Sequence, residues 1–274
     1  MLSTRLGVLG ALAFLPAFAQ VSSVALLQNA TERIGHRQFG PIRDKVDHFD
    51  GTAESTNWSG YAVLGSSFTS AEGSWIVPAV NCSGVSGDQY AAFWVGIDGY
   101  SSSTVEQTGT LSACAGTTPV YYAWYEFYPH PMTEITSVPV NPGDVLSASV
   151  VYSGSEFTVK ITDVTTGKSY SKSARVSGAK RSSAEWIAEA PCCTSSGGIL
   201  PLADFGTGAF GEDSTGVGGT NYATDSTASG PIGNFPAADI VEINKIGSST
   251  SPQTSTCSAA LSTDGTSFSC TWAP

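Results

Sequence analysis

From Thr56 onward the chain is a succession of short runs in which apolar and polar side chains alternate, broken by Gly, Ser, Asn and Pro. NWSGYAVLG, GSWIVPAV, YAAFWVGIDG, VYYAWYEFYP, DVLSASVVYSG, EFTVKITDVTTG, KSYSKSARV, SAEWIAEAP and AADIVEINKI all read this way. A period of two is the mark of strands that bury one face. Apolar positions at helical spacing are missing from this region. Asn141-Pro142-Gly143-Asp144 and Thr165-Thr166-Gly167-Lys168 are turn sequences. The pattern predicts an all-β fold: one β-sandwich domain of two antiparallel sheets, of the concanavalin or lectin-like jelly-roll kind. Residues 206–234, rich in Gly, Ser and Thr, read as a low-complexity loop.

Alternation also says which side chains share a face. Trp94, Gly96 and Asp98 point one way, and Phe93, Val95 and Ile97 the other. Trp124, Glu126 and Tyr128 share a face. Gln107 lies on its face between Val105 and Gly109, and Glu185 shares one with Ser183, Ile187 and Glu189. If these faces meet on one sheet, they make an acidic floor walled by Trp and Tyr. Taken singly, each acid on a strand simply faces water, and aromatic stripes are ordinarily packing.

The amino terminus is of a different kind. Residues 1–19 combine Arg5, an apolar stretch and Ala17-Phe18-Ala19, the pattern of a secretory signal peptide cut before Gln20. Residues 20–54 carry Arg33, Arg37, Arg43 and Lys45, with His36 and His48, and read as a pro-segment ahead of a catalytic domain at 55–274. Six cysteines in a secreted chain imply disulfides. Cys257 and Cys270 bracket a hairpin with Asp264-Gly265 at its turn, and suit a cross-strand bridge. Cys82 and Cys114 are the next pair, which leaves Cys192 and Cys193, bonded or reduced. Asn29, Asn57 and Asn81 head glycosylation sequons, with Asn81 read as the most exposed.

Composition narrows the chemistry. Of 274 residues, 23 are Asp or Glu against 12 Lys or Arg, a net charge of −11. Such a chain lacks the basic face that nucleic acid or anionic membrane requires. No Lys or Arg occurs between Lys45 and Lys160, a stretch holding many acids. Acid surroundings would relieve their repulsion. With His130 as the one histidine beyond residue 54, a two-His zinc site cannot be built there, and no HExxH, GxSxG or pepsin-type Asp-Thr/Ser-Gly appears. Neither metal nor cofactor is expected, and a hydrolase of this composition must work through carboxylates.

TNWSGYAV, FWVGIDG, VEQTGT, YYAWYEFYP, SAEWIAEAP and PLADFG, in that order, resemble the glutamic peptidases, or eqolisins, from about Asn57 to the last hairpin. The resemblance implies a sandwich of two seven-stranded sheets and a secreted acid endopeptidase made with a pro-segment; a monomer is expected, acting on proteins or peptides, inhibited by its own pro-segment and, for want of an aspartic pair, insensitive to pepstatin. It places the Gln of the catalytic pair on Gln107 and the Glu on Glu185. Trp58, Trp94, Asp98, Glu126 and Tyr128 would shape the substrate cleft. These residue types suit peptide hydrolysis, since a carboxylate can take a proton from water and return it to the leaving nitrogen, and an amide N–H can hold an oxyanion at low pH. Two other readings use the same residues. A glycoside hydrolase would pair Glu126 with Glu185 and leave Gln107 idle. A lectin-like module would need no pro-segment. The basic 20–54 stretch is further expected to lie over the acidic cleft by charge attraction, to loosen in acid or salt, and to be cut away near residues 50–56.

Overall fold

In a computed structural model, residues 28–35, 37–193 and 196–274 are described. The expected signal peptide, the start of the pro-segment and His36 lie outside them.

Strands form where the alternating runs stand, and they stack in two layers. One layer runs Ile240–Lys245, Trp58–Leu64, Ser183–Glu189, Asp88–Ile97, Val105–Ala115, Thr118–Tyr128 and Thr133–Ile135, each antiparallel to the next. Thr52–Ser55 adds a parallel strand at its edge, against Glu242 to Lys245. The other layer runs Lys168–Ala174, Glu156–Asp163, Val145–Ser153 and Ser70–Ile76. It continues through Thr207–Phe210 to Phe268–Ala273 and Thr254–Cys257. A single pairing, Lys245 with Ser255, joins the layers at one end. The chain is thus a single all-β sandwich domain, as its alternation predicts.

The period of two sorts side chains as the sequence predicts. Phe93, Val95, Ile97 and Trp186 enter the core between the layers, with Trp75, Leu146, Phe157 and Phe210. Phe210 stacks on Phe93 and on Phe268, with ring centroids 5.5 and 4.8 Å apart. Trp58, Trp94, Leu111, Trp124 and Ile187 gather on the opposite, outer face of the first layer, in a second buried cluster. Burial of this second face would be anomalous in a sheet open to solvent; it is covered by the segment that precedes residue 44.

Residues 206–234 are not a loose loop. They hold the strands Thr207–Phe210, Tyr222–Thr224 and Ser229–Pro231 and a helical turn, Glu212–Thr215. Asn221, with φ of 53°, explains the order: its amide accepts from the Ser74 N–H at 3.3 Å and donates to the Thr266 carbonyl at 2.7 Å. Low complexity in sequence hides side-chain to backbone bonds of the kind that Asn, Ser and Thr make.

Cys257 and Cys270 are directly opposed and bonded, and Cys82 is bonded to Cys114. Cys192 and Cys193 are bonded to each other. Asn81 is exposed, whereas Asn57 is buried.

Candidate active site

The first layer brings one row of residues together. Gln107 pairs with Glu126 across adjacent strands, and on its other side with Gly96, which in turn pairs with Glu185. Gln107 Nε2 donates to Glu126 Oε2 at 3.0 Å. Both side chains are fully buried.

A stretch of the same chain lies across them. Gln107 Nε2 also donates to the carbonyl oxygen of Phe39, and the Phe39 N–H donates to Glu126 Oε2 at 3.0 Å. The Phe39 ring stacks on Trp124, with centroids 4.0 Å apart and planes at 24°. Gly40 follows over the Tyr128 ring: a β-carbon there would stand 3.2 Å from Tyr128 Cε2. Before Phe39, Gln38 exchanges both backbone hydrogen bonds with Cys192, at 3.2 and 3.0 Å. Beyond it, Ile42 N–H donates to the Gly99 carbonyl at 3.2 Å, and Arg43 N–H to Asn57 Oδ1 at 2.7 Å.

Asn57 links this stretch to a second carboxylate. Its Nδ2 donates to the Pro41 carbonyl at 3.3 Å and to Glu189 Oε1 at 3.2 Å. Trp94 Nε1 donates to Glu189 Oε2 at 2.9 Å. Trp58 meets Trp94 edge to face, centroids 5.0 Å apart. Burial pushes the carboxyls of both Glu126 and Glu189 well above the usual range. For Glu126 the bond from the Phe39 N–H opposes this and the nearby Glu189 adds to it.

Glu185 is placed differently. It stands about 10 Å of backbone from Gln107, two strand spacings away, with Gly96 between them. The Trp94 indole occupies that gap: a β-carbon on Gly96 would lie 2.8 Å from Trp94 Cζ3. Neither Glu185 oxygen has a hydrogen-bond partner among the described residues, and burial raises its pKa well above normal, with Asp98 and Glu106 adding to the shift. Asp98 is likewise turned away. Its carboxylate accepts the N–H groups of Lys180, Arg181 and Ser182 at 2.7, 2.7 and 3.0 Å, which fixes the turn into the Ser183–Glu189 strand.

The structure therefore brings Gln107, Glu126, Trp58, Trp94 and Tyr128 to one cleft with Glu189, and sets Glu185 and Asp98 to one side. Alternation places Glu189 on the right face. It cannot weigh Glu189 against Glu185, because both lie on the same face of the same strand, and what separates them is the position of the Trp94 ring and the bond from Asn57. Among the described residues no group of three or more His, Cys, Asp or Glu is arranged to hold a metal ion.

The peptidase A4 family model matches residues 56–272. The chain belongs to the peptidase A4 family. It is 31% identical to aspergillopepsin-2 of Aspergillus niger over 196 residues, 63% of this chain and 69% of that protein. It is 35% identical to scytalidopepsin B of Scytalidium lignicola over 137 residues, 48% of this chain and 49% of that protein. Among solved structures it resembles scytalido-glutamic peptidase bound to a transition-state analogue inhibitor. The TM-score is 0.63 and the identity 26%, over 80% of this chain and 98% of that one. As an A4 peptidase the chain is a glutamic endopeptidase of the eqolisin family, a peptide hydrolase, and the glycoside hydrolase and lectin readings fall away.

Proposed function

We propose that this A4 peptidase hydrolyses protein and peptide substrates outside the cell, in acid, through Gln107 and a glutamate, without metal or cofactor. Gln107 Nε2 is the oxyanion donor, and its Oε1, which has no partner among the described residues, orients the attacking water. The glutamate takes the proton of that water and passes it to the leaving nitrogen. Of the two candidates, Glu189 suits the role better than Glu185: Asn57 holds it beside the bound backbone, while Trp94 stands between Glu185 and Gln107. The observation that carries the reading is the Gln107 amide bonded to a peptide carbonyl, that of Phe39, in the cleft.

Residues 20–54 act as an inhibitor of the same site and residues 1–19 direct secretion. Under the segment Glu189 is fully buried and keeps its proton. Release lets water in, which returns the carboxyl toward its ordinary value near 4, where it is partly ionised in acid. An amide and a low-pKa carboxylate need no histidine and give pepstatin no aspartic pair to bind. The test is cleavage of a denatured protein at pH 2 to 5 with and without pepstatin, for wild type, Gln107→Ala, Glu189→Gln and Glu185→Gln. Cleavage that survives pepstatin, falls by about 100-fold or more in Gln107→Ala and is abolished in Glu189→Gln supports the reading. Full activity in Glu189→Gln with loss in Glu185→Gln returns the acid–base role to Glu185.

A further inference from the structure

The leading segment does more than cover the cleft; it lies in it as a bound peptide would. Across the cleft, residues 38–42 meet the body chiefly through their backbone: Gln38 with Cys192, Phe39 with Gln107 and Glu126, Pro41 with Asn57, Ile42 with Gly99. Backbone bonds of this type suit a site that accepts many sequences. One side chain anchors the stretch: the aromatic ring of residue 39 is stacked on Trp124, and residue 40 passes over Tyr128, where a β-carbon would stand 3.2 Å from Cε2. The carbonyl between those two positions is the one held by Gln107.

We propose that Phe39–Gly40 occupies the place of the bond to be cut, so that the first self-cleavage of this chain falls there, anchored by the Phe39 ring on Trp124. This rests on the role given to Gln107 above. In the step, the segment loosens in acid without leaving the cleft, and entering water lets Glu189 give up its proton. Water oxygen then bonds to the Phe39 carbonyl carbon and the bond to the Gly40 nitrogen breaks. One water proton passes through the glutamate to that nitrogen, leaving a carboxyl-terminal Phe39 and an amino-terminal Gly40. Removal of Gly40 to Asp50 by later cuts follows in the exposed link: Phe49 is wholly exposed, whereas Thr52–Ser55 is paired into the sheet.

The full-length precursor, purified at neutral pH, is shifted to pH 3.5 and sampled from the first minutes by mass spectrometry and amino-terminal sequencing. The first new end expected is Gly40. Phe39→Ala is expected to slow that cut by about tenfold or more, the loss of one buried aromatic contact. The mature enzyme, which lacks residue 39, keeps its rate on added substrate. A synthetic peptide of residues 37–44, RQFGPIRD, added to the mature enzyme, is expected to compete with a reporter substrate and to be cut between Phe and Gly. The same peptide with Ala in place of Phe should bind at least about tenfold more weakly. A first end at any other residue, or a peptide that neither competes nor is cut, overturns the proposal while leaving activity on denatured protein intact. Loss of that activity as well overturns the role of Gln107 on which it rests.

Discussion

Gln107 Nε2 stands 3.0 Å from Glu126 Oε2, and that same carboxylate oxygen accepts the Phe39 N–H at 3.0 Å. Glu126 thus orients the amide and reads the bound backbone at once. Glu126→Gln should still fold, since the shape is kept, but half of its accepting capacity goes. The Glu126 carboxyl is neutral at acid pH, and a neutral hydrogen bond is worth roughly 0.5–1.5 kcal/mol, so kcat/KM should fall by about 2- to 10-fold. Steady-state kinetics on one peptide at pH 3.5 checks this. A fall as deep as that of Glu189→Gln would instead make Glu126 the acid–base residue.

Glu106 has no part in the cleft. It lies on the opposite face of its strand from Gln107, fully buried, with both oxygens unpartnered among the described residues. Burial, aided by Asp98, pushes its pKa up to about 9 from 4.5. A carboxyl raised in the folded state favours folding while it is protonated. That contribution is complete below the unfolded value near 4.5 and is lost as pH climbs through about 9. The protein should therefore be most stable in acid and weaken toward neutrality. One proton changes the slope of stability with pH by about 1.4 kcal/mol per pH unit. Glu106→Gln should remove that much slope between pH 5 and 8 in denaturant titrations. An unchanged slope would mean that Glu106 is already ionised at pH 5.

Gly96 is required by the close approach of the Trp94 ring and Gln107 Cβ, at 2.8 and 3.3 Å from a β-carbon built there. Backbone φ is not the reason; the space is. Gly96→Ala should push the indole aside and with it the Trp94 bond to Glu189. Overpacking of this kind costs typically about 1–3 kcal/mol. The thermal midpoint should fall, and kcat should fall with it. A variant that lost stability but kept kcat would detach Trp94 from the placement of Glu189.

Much of this is legible in the chain itself, and particular residues show why. The Phe93/Trp94 alternation gives both faces of the central strand, because strand periodicity survives any arrangement of neighbours. The Cys257–Cys270 hairpin is legible because its turn is short and local. Glu185 against Glu189 is not: both lie on one face of one strand, and the choice depends on a tryptophan from the next strand. Nor is the order of 206–234, which rests on the amide of one asparagine bonding to residues far away in sequence. The basic character of the leading segment suggests a hold by charge, and the structure shows another kind. Lys45 pairs with Asp47 of its own stretch at 2.9 Å, and Arg37 donates to the Tyr90 hydroxyl at 2.7 Å. Among the described residues the ion pair that joins segment to body is Arg33 with Asp88.

Arg33 Nη2 and Asp88 Oδ1 are 2.8 Å apart, but the side chains are 54% and 22% exposed. Exposed pairs contribute roughly 0–1 kcal/mol and are screened by salt. Phe39, by contrast, is wholly buried against Trp124, and a buried Phe side chain is worth about 1.5–3 kcal/mol. Raising NaCl from about 0.05 to about 0.5 M at fixed acid pH should therefore speed loss of the segment by no more than about fivefold. Asp88→Asn should mimic that change and abolish the salt response. Trp124→Ala should loosen the segment more than either. The measure is the rate at which a labelled segment becomes accessible to an added protease at pH 6, where self-cleavage is slow. If salt releases the segment faster than Trp124→Ala does, charge attraction holds it after all, and the basic residues at 33–45 act through pairs beyond Arg33–Asp88.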